Sequence, residues 1–214
     1  MARRVERCSA EPADLSEAGI GEGVSEVIVT TRSASGEPNA APVGVISESN
    51  RYFARLYEGS RTLSNVRETS KLAANVTSDA VLFVKSALGN LDEAEFSLFF
   101  SSSDSDYGFP VLSEASSWII FETVFTESSL FQLTPVAVKI SRKEVKAVNR
   151  GFNAVVEATI LATRFGRAKD EGEKEETKKK MRFFAEIVEK CGGRREKEAL
   201  SVLREKIKNY PSRL

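Results

Sequence analysis

The sequence of 214 residues contains no histidine. Imidazole is the base of Ser-His-Asp and Cys-His catalysis and a common ligand of zinc and iron, so the sequence excludes these catalytic classes and histidine-based metal sites. We therefore expect no metal site. Chemistry near neutral pH would have to come from carboxylates, from a lysine or cysteine with a shifted pKa, or from a bound cofactor.

Cysteine is nearly absent as well, and the two cysteines, Cys8 and Cys191, lie far apart with no CxxC pattern. This argues against a disulfide framework or a structural zinc site, and we expect two reduced thiols. Neither cysteine has neighbours in sequence that would stabilise a thiolate, so neither is a convincing nucleophile.

The chain also lacks net charge and long apolar runs. Lys plus Arg and Asp plus Glu both total 31, so no global positive field exists to attract nucleic acid or an anionic membrane. No window approaches the roughly 18 apolar residues of a spanning helix, and the charged start lacks the apolar run of a signal peptide. We expect a cytoplasmic protein.

What the sequence does contain is a series of β-branched runs followed by amphipathic segments, with 41% apolar and 29% charged residues. The pattern predicts strands first and helices afterwards. A cluster of serine, aspartate, glycine and proline at 101–117 predicts a loop or lid. The strand-like runs are VSEVIVTT (24–31), PNAAPVGVIS (38–47), RYFARLY (51–57), KLAANVT and AVLFVKSAL (71–88), SWIIFETVFTESS (117–129) and TPVAVKISRKEVKAV (134–148).

The character changes at Asn149, after which three helical segments follow, with Gly192-Gly193 as a stop signal between the second and the third. The fold class is therefore α+β and mainly β. We expect residues 1–148 to form a β-barrel of about six strands, and residues 149–214 to form a helical subdomain packed on that barrel.

The segment SRTLSNVRE places hydroxyls, an amide and one guanidinium at the predicted start of a helix: Ser60, Arg61, Thr62, Ser64 and Asn65. Free backbone N–H groups, the helix dipole and a bidentate arginine all favour a phosphate monoester. Ordinary helix capping explains the same residues, and the segment alone leaves both interpretations open.

A second unusual segment is the strand-like run from Asn39 to Val45, where small residues and a proline replace bulky core side chains. Its members are Asn39, Ala40, Ala41, Pro42, Val43, Gly44 and Val45. Small side chains let a flat ligand approach the backbone, and exposed backbone donors there could bind the polar rim of an isoalloxazine ring. A barrel corner without a ligand accounts for the run equally well.

Polar residues also recur on the first helix after the barrel, where Asn153, Glu157 and Arg164 follow Arg150. Their spacing places them near part of the apolar stripe, and Glu157 is the one carboxylate that this helix could bury. A structural network or a dimer contact is favoured over catalysis, which stays open.

Together these segments resemble the flavin-reductase-like, FMN-binding split barrel, and in particular an archaeal family of uncharacterised proteins with that fold. The resemblance is carried by TTRSASGEPNAAPVGV, LYEGSRTLSNVRET, AANVTSDAVLFVKSAL and NRGFNAVVEATILATR, which span nearly the whole chain. It implies FMN as the cofactor. The cofactor-binding residues that it implies are Asn39, Ala40, Ala41, Pro42, Val43 and Gly44 at the ring, Ser60, Arg61, Thr62 and Asn65 at the phosphate, and Asn75, Val76 and Thr77 on the following strand.

The resemblance also implies a homodimer with the flavin at its two-fold interface, to which Trp118 and the 101–117 loop are candidate contributors. An FMN-dependent oxidoreductase is the first hypothesis, with NAD(P)H or another small molecule as electron donor. The missing histidine argues against hydride transfer from NAD(P)H. An FMN carrier, store or sensor without turnover is the second hypothesis, and a barrel without flavin that serves protein contacts is the third.

Overall fold

The computed structural model describes residues 15–100, 108–144 and 146–208. In this part of the chain eight strands and five helices form. The strands are β1 Gly23–Arg32, β2 Pro38–Glu48, β3 Arg51–Arg55, β4 Lys71–Val76, β5 Phe96–Phe99, β6 Phe109–Leu112, β7 Ser117–Glu127 and β8 Leu130–Ile140. The helices are α1 Arg61–Thr69, α2 Ala80–Leu88, α3 Arg150–Phe165, α4 Glu171–Cys191 and α5 Arg194–Lys208.

Six of the strands close into a barrel in the order β1-β2-β3-β8-β7-β4, and every neighbouring pair is antiparallel. β-Branched residues at alternating positions give each strand an apolar face that lines the barrel core. Val27, Val29 and Val45 are examples. The predicted six-stranded barrel followed by helices is confirmed.

The first three strands form an antiparallel meander, and its turns have identifiable causes. Gly36 adopts a φ of 91° in the turn between β1 and β2. Ser49 and Asn50 adopt φ values of 50° and 59°, as the two central residues of a type I′ hairpin turn must.

The strand prediction is wrong for AVLFVKSAL, which forms helix α2. Asp79 caps this helix, because its Oδ1 accepts hydrogen bonds from the backbone N–H groups of Val81 and Leu82 at 2.9 and 3.3 Å. Apart from Lys85 and Ser86 the segment is apolar, and periodicity cannot distinguish a buried helix from a buried strand in such a run.

The predicted loop at 101–117 also needs correction, because it contains strand β6 and the start of β7. β6 pairs with β5 as a separate two-stranded sheet. This sheet covers the outer face of the barrel, where Phe109 and Val111 join an apolar cluster with Trp118 and Ile120. Residues 101–107 lie outside the described residues.

The described residues fall into two compact units. One holds those within Met1–Thr77 and Asp92–Glu144, and the other those within Ser78–Leu91 and Val145–Leu214. In the second unit, α2 packs with α3, α4 and α5 around Val84, Val155 and Leu203. The division at residue 148 and the packing of a helical subdomain on the barrel stay predictions. No helix among the described residues is both long and apolar enough to cross a bilayer.

Candidate functional site

Helix α1 begins where the sequence predicts a phosphate-binding loop. Ser60 is the N-cap residue, and its hydroxyl oxygen accepts from the backbone N–H of Leu63 at 3.2 Å while donating to the Tyr57 carbonyl at 2.7 Å. The backbone N–H groups of Arg61 and Thr62 have no partner within the helix, as is general for the first turn. The side chain of Arg61 is exposed and has no ion-pair partner among the described residues. This end of α1 therefore carries positive potential without a countercharge of its own.

The inward face of α1 is held by the barrel core. Leu63 and Val66 are buried in the apolar cluster of the barrel, which stabilises the docked helix by about 1.5–3 kcal/mol for each side chain. At the far end of the helix, a carboxylate oxygen of Glu68 accepts from the backbone N–H of Ala34 at 2.9 Å. Helix α1 is thus held in place along its inward face and at its far end, which fixes the position of its start.

Four buried polar side chains connect α1 to the barrel, and we call Thr31, Asn39, Thr62 and Asn65 the polar network. The Asn39 amide nitrogen donates to the Thr62 hydroxyl at 3.2 Å and to the Thr31 hydroxyl at 3.4 Å. The Asn65 amide nitrogen donates to the Thr31 hydroxyl at 3.0 Å. The contact between Asn39 and Thr62 brings the start of β2 to the second residue of α1.

The segment Asn39–Gly44 has one open edge. It pairs with β1 along its whole length, but the pairing of β2 with β3 starts only at Val45. Among the described residues no other strand pairs with this edge.

The hairpin register tells which backbone groups face the open edge. Glu48 and Arg51 flank a two-residue loop and so form a hydrogen-bonded pair, in which the backbone N–H and C=O groups of Glu48 point toward β3. The direction of these backbone groups alternates from one residue to the next along β2. The backbone groups of Ala40, Pro42 and Gly44 consequently point to the open edge. Pro42 has no N–H, so the donors there are the N–H groups of Ala40 and Gly44. A proline at this position removes no hydrogen bond from the ladder with β1.

The side chains along this edge are small or half-buried. Ala40 is buried, whereas Ala41, Pro42, Val43 and Gly44 are half-buried. A Cβ on Gly44 would lie 2.8 Å from Cγ1 of Val24, which shows how closely the neighbouring strand approaches. The side chain of Val43 instead packs against the barrel core.

The predicted residues on β4 have a different role in the structure. Asn75 is fully buried, and its amide nitrogen donates to the Ile28 carbonyl at 2.9 Å and to the Thr30 hydroxyl at 3.0 Å. Its side-chain oxygen accepts from the backbone N–H of Leu112 at 2.8 Å. These bonds tie the barrel to the outer sheet, so the Asn75 side chain is committed to structure. A role for Asn75, Val76 and Thr77 in cofactor binding stays a prediction.

Several candidate residues do not join this site. Asn153, Glu157 and Arg164 are exposed on α3, so the expectation that this helix buries Glu157 is wrong: its buried stripe runs through Ala154, Val155 and Ala158 instead.

Trp118 is only 6% exposed, and its ring packs 4.9 Å from that of Phe99. Cys191 is a free, half-buried thiol, and Cys8 lies outside the described residues. Within the described ranges no group of three or more Cys, Asp or Glu side chains could hold a metal ion.

Two family models match the chain in succession. The first is described as the N-terminal domain of a protein of unknown function, DUF447, and matches residues 25–147, and the second is described as protein of unknown function, DUF447, and matches residues 149–205. The chain belongs to the DUF447 family.

Three solved structures are similar to this chain. An FMN-bound DUF447 protein from Methanosarcina mazei is 38% identical, with a TM-score of 0.80 over 90% of this chain and 100% of that one. An FMN-binding domain of a flavin-reductase-like enzyme from Shewanella baltica is 15% identical, with a TM-score of 0.43 over 53% of this chain and 66% of that one. A flavoredoxin of Desulfovibrio vulgaris is 14% identical, with a TM-score of 0.43 over 57% and 73% of the two chains. The predicted family and the split-barrel fold class are confirmed.

Sequence reasoning did not single out Arg32 at the end of β1, which lies opposite the first residue of β2. Its guanidinium carbon lies 5.9 Å from the centre of the Phe109 ring, and its Nε is buried without a hydrogen-bond partner in the described part of the chain. A charged residue that ends a run of apolar and hydroxyl side chains was a usable signal. The register that places it opposite Pro38, at the start of β2, was not visible in the sequence.

Proposed function

We propose that this chain is a flavoprotein that binds FMN, with the phosphate at the start of α1 and the isoalloxazine ring along the open edge of β2. The observation that carries the proposal is the hydrogen bond between Asn39 and Thr62. It brings the helix start next to the first residues of the open backbone edge. The bound FMN of the 38% identical DUF447 relative supports the same cofactor here.

At the phosphate end, the N–H groups of Arg61 and Thr62 and the exposed guanidinium of Arg61 are the groups that would hold a dianion. The side chains of Ser60, Thr62 and Asn65 already have partners within the chain. Ser60 and Thr62 hydroxyls still have acceptor or donor capacity left, but Asn65 acts by holding Thr31 and so positions the helix.

At the ring end, the N–H groups of Ala40 and Gly44 and the carbonyls of Ala40 and Pro42 form a short ladder of donors and acceptors. The pyrimidine side of an isoalloxazine carries carbonyl oxygens and ring nitrogens that match such a ladder. Backbone groups on a closed barrel are rigid, so they orient the ring without an entropic cost for side chains.

We further propose that the protein is an FMN-dependent oxidoreductase. Bound flavin supplies reversible electron and hydride transfer, which the side chains of this site cannot provide. The polar side chains proposed for the site are amides, hydroxyls and one exposed guanidinium, and these bind and orient but do not exchange protons near neutral pH. A reduced nicotinamide or another small reductant is the proposed electron donor.

The same proposal includes a cytoplasmic homodimer with the flavin at its interface. The half-exposed stretch Ala41–Gly44 supports it, because a ring lying there would leave one side for a second subunit or a substrate. The balanced charge of the chain gives no support for a nucleic-acid or membrane partner.

A second candidate, an FMN carrier, store or sensor without turnover, is favoured by one observation. The sequence has no histidine, and no carboxylate is among the residues proposed for the site. A protein that needs only to hold the cofactor would require no acid or base there.

A visible absorption spectrum of the purified protein tests these proposals, first with added FMN and then anaerobically with NADH or NADPH. Flavin bands that stay with the protein after gel filtration and bleach on addition of nicotinamide support the oxidoreductase. Bands that persist favour the binding protein or another donor. A protein that takes up no FMN contradicts the flavoprotein proposal. Gel filtration of the same sample gives the oligomeric state.

A further inference from the structure

Arg32 holds a cation at the end of β1, opposite Pro38 at the start of β2, and has no countercharge in the described part of the chain. Its alternation with Thr30 along β1 places it on the outer face of the barrel, and the hydroxyl of Thr30 donates to the Pro110 carbonyl on the same face at 2.6 Å. The nearby Phe109 ring lies under the guanidinium.

The environment of this guanidinium is unusual for a structural arginine. The residue is half-buried, and among residues 15–100, 108–144 and 146–208 no carboxylate pairs with it. Its Nε is buried and without a hydrogen-bond partner. A buried donor without a partner is costly, and a cation–π contact of this kind satisfies no N–H group. A ligand with acceptor oxygens would give the Nε–H group of Arg32 a hydrogen-bond partner.

The position of Arg32 at the end of β1 indicates which part of a bound ligand it would meet. Arg32 is opposite Pro38, and Asn39 follows on β2 and contacts Thr62 at the start of α1. Arg32 is therefore at the same end of β2 as the helix start, whereas Gly44 is about six residues along the strand from Pro38, or roughly 20 Å, away. A ligand laid along the open edge of β2, with its terminal phosphate at the start of α1, would have that phosphate, not its ring, at the end of the barrel where Arg32 lies.

We infer that Arg32 is a second cationic ligand of the flavin phosphate, at the same end of the barrel as the start of α1 and Arg61. The inference rests on the proposed function, and it explains how a dianion would be held in a chain with no net charge. Two guanidinium groups from different elements would also select FMN over flavins that lack a terminal phosphate.

The test compares FMN and riboflavin binding to the wild-type protein and to Arg32→Gln and Arg32→Lys variants. Flavin fluorescence quenching gives the affinities without any need for turnover. We expect Arg32→Gln to weaken FMN binding by about tenfold or more while leaving riboflavin binding within about twofold. Arg32→Lys keeps the charge and should recover part of the loss.

Arg51→Ala is the matched control, since the Arg51 guanidinium also lies 5.9 Å from a phenylalanine ring, that of Phe53, on another strand of the barrel. This control should leave both affinities unchanged. Thermal unfolding without flavin reports whether each variant is folded.

Three outcomes would overturn the inference. They are an unchanged FMN affinity of Arg32→Gln, an equal loss of FMN and riboflavin affinity, which assigns Arg32 to the ring, and a loss matched by Arg51→Ala. A wild-type protein that binds neither flavin instead contradicts the proposed function itself.

Discussion

Helices α1 and α2 are both nine residues long, and their N-termini differ in charge. The start of α1 is capped by a neutral hydroxyl and followed by an exposed arginine. The start of α2 is capped by the carboxylate of Asp79, which accepts two backbone N–H groups and also pairs with Arg195. The hydrogen bond from Arg195 to Asp79 raises the pKa of that guanidinium above its usual value.

The comparison shows why only one of these helix starts suits an anionic ligand. At α2 the chain supplies its own anion, so the positive end of the helix dipole is already neutralised. At α1 a hydroxyl meets the capping requirement and no anion is supplied. The difference between serine and aspartate at one position thus separates a structural cap from a proposed phosphate site.

The largest expected effect comes from making α1 resemble α2 through Ser60→Asp. Aspartate is as good an N-cap as serine, so the stability of the protein should stay the same or rise slightly. A carboxylate facing the proposed phosphate costs several kcal/mol, so FMN affinity should fall by more than about a hundredfold. Flavin titration and thermal unfolding check the two parts. Ser60→Thr, which keeps the hydroxyl, should bind FMN normally, and an Asp variant within about threefold of wild type would refute the assignment.

Arg61→Ala should have the next largest effect, because it removes a charge-assisted contact worth about 1.5–3 kcal/mol, or roughly ten- to a hundredfold in FMN affinity. Calorimetric titration with FMN measures it. Arg67→Ala is the control on the same helix, where the arginine pairs with Glu58 at the surface instead. The assignment of Arg61 is wrong if both variants bind FMN like the wild type.

Asn65→Ala tests whether α1 is held in place by the polar network. It leaves the buried Thr31 hydroxyl without the bond from Asn65, so the free energy of unfolding should drop by about 1–3 kcal/mol. Denaturant unfolding without flavin measures this loss. If FMN affinity falls by more than tenfold while stability is unchanged, Asn65 binds the ligand directly.

The smallest effect is expected from Asp79→Ala at α2. Loss of the cap and of a surface ion pair should lower the free energy of unfolding by about 1 kcal/mol, with FMN affinity unchanged. Thermal unfolding and flavin titration are the measurements. A marked loss of FMN binding would show that the two helix starts are not functionally distinct.

The barrel and the helices that follow could be predicted because period-2 and period-3.6 patterns decide which face of each element is apolar. Helix α2 could not be predicted, since AVLFVKSAL is apolar apart from Lys85 and Ser86, and only the Asp79 cap distinguishes it from a strand. Strand β6 was missed because its four residues form a minor sheet that covers the barrel instead of extending it.

For the site, residue types at Asn39–Gly44 and Ser60–Thr62 were sufficient to predict two separate segments. That the two segments meet through Asn39 and Thr62 could be seen only in the folded barrel, because these residues are 23 positions apart in sequence. Arg32 was missed for the same reason. Glu157 was misjudged because a helical face with alternating polar and apolar residues does not show which side another element covers.

Parallel titrations of the wild-type protein with FMN and riboflavin test the central claim most directly, since the two differ only in the terminal phosphate. We predict one FMN per chain, bound at least about a hundredfold more tightly than riboflavin, because the phosphate meets the helix start and at least one guanidinium. Equal affinities would contradict a phosphate site at α1, and no uptake of either flavin would contradict the flavoprotein proposal as a whole.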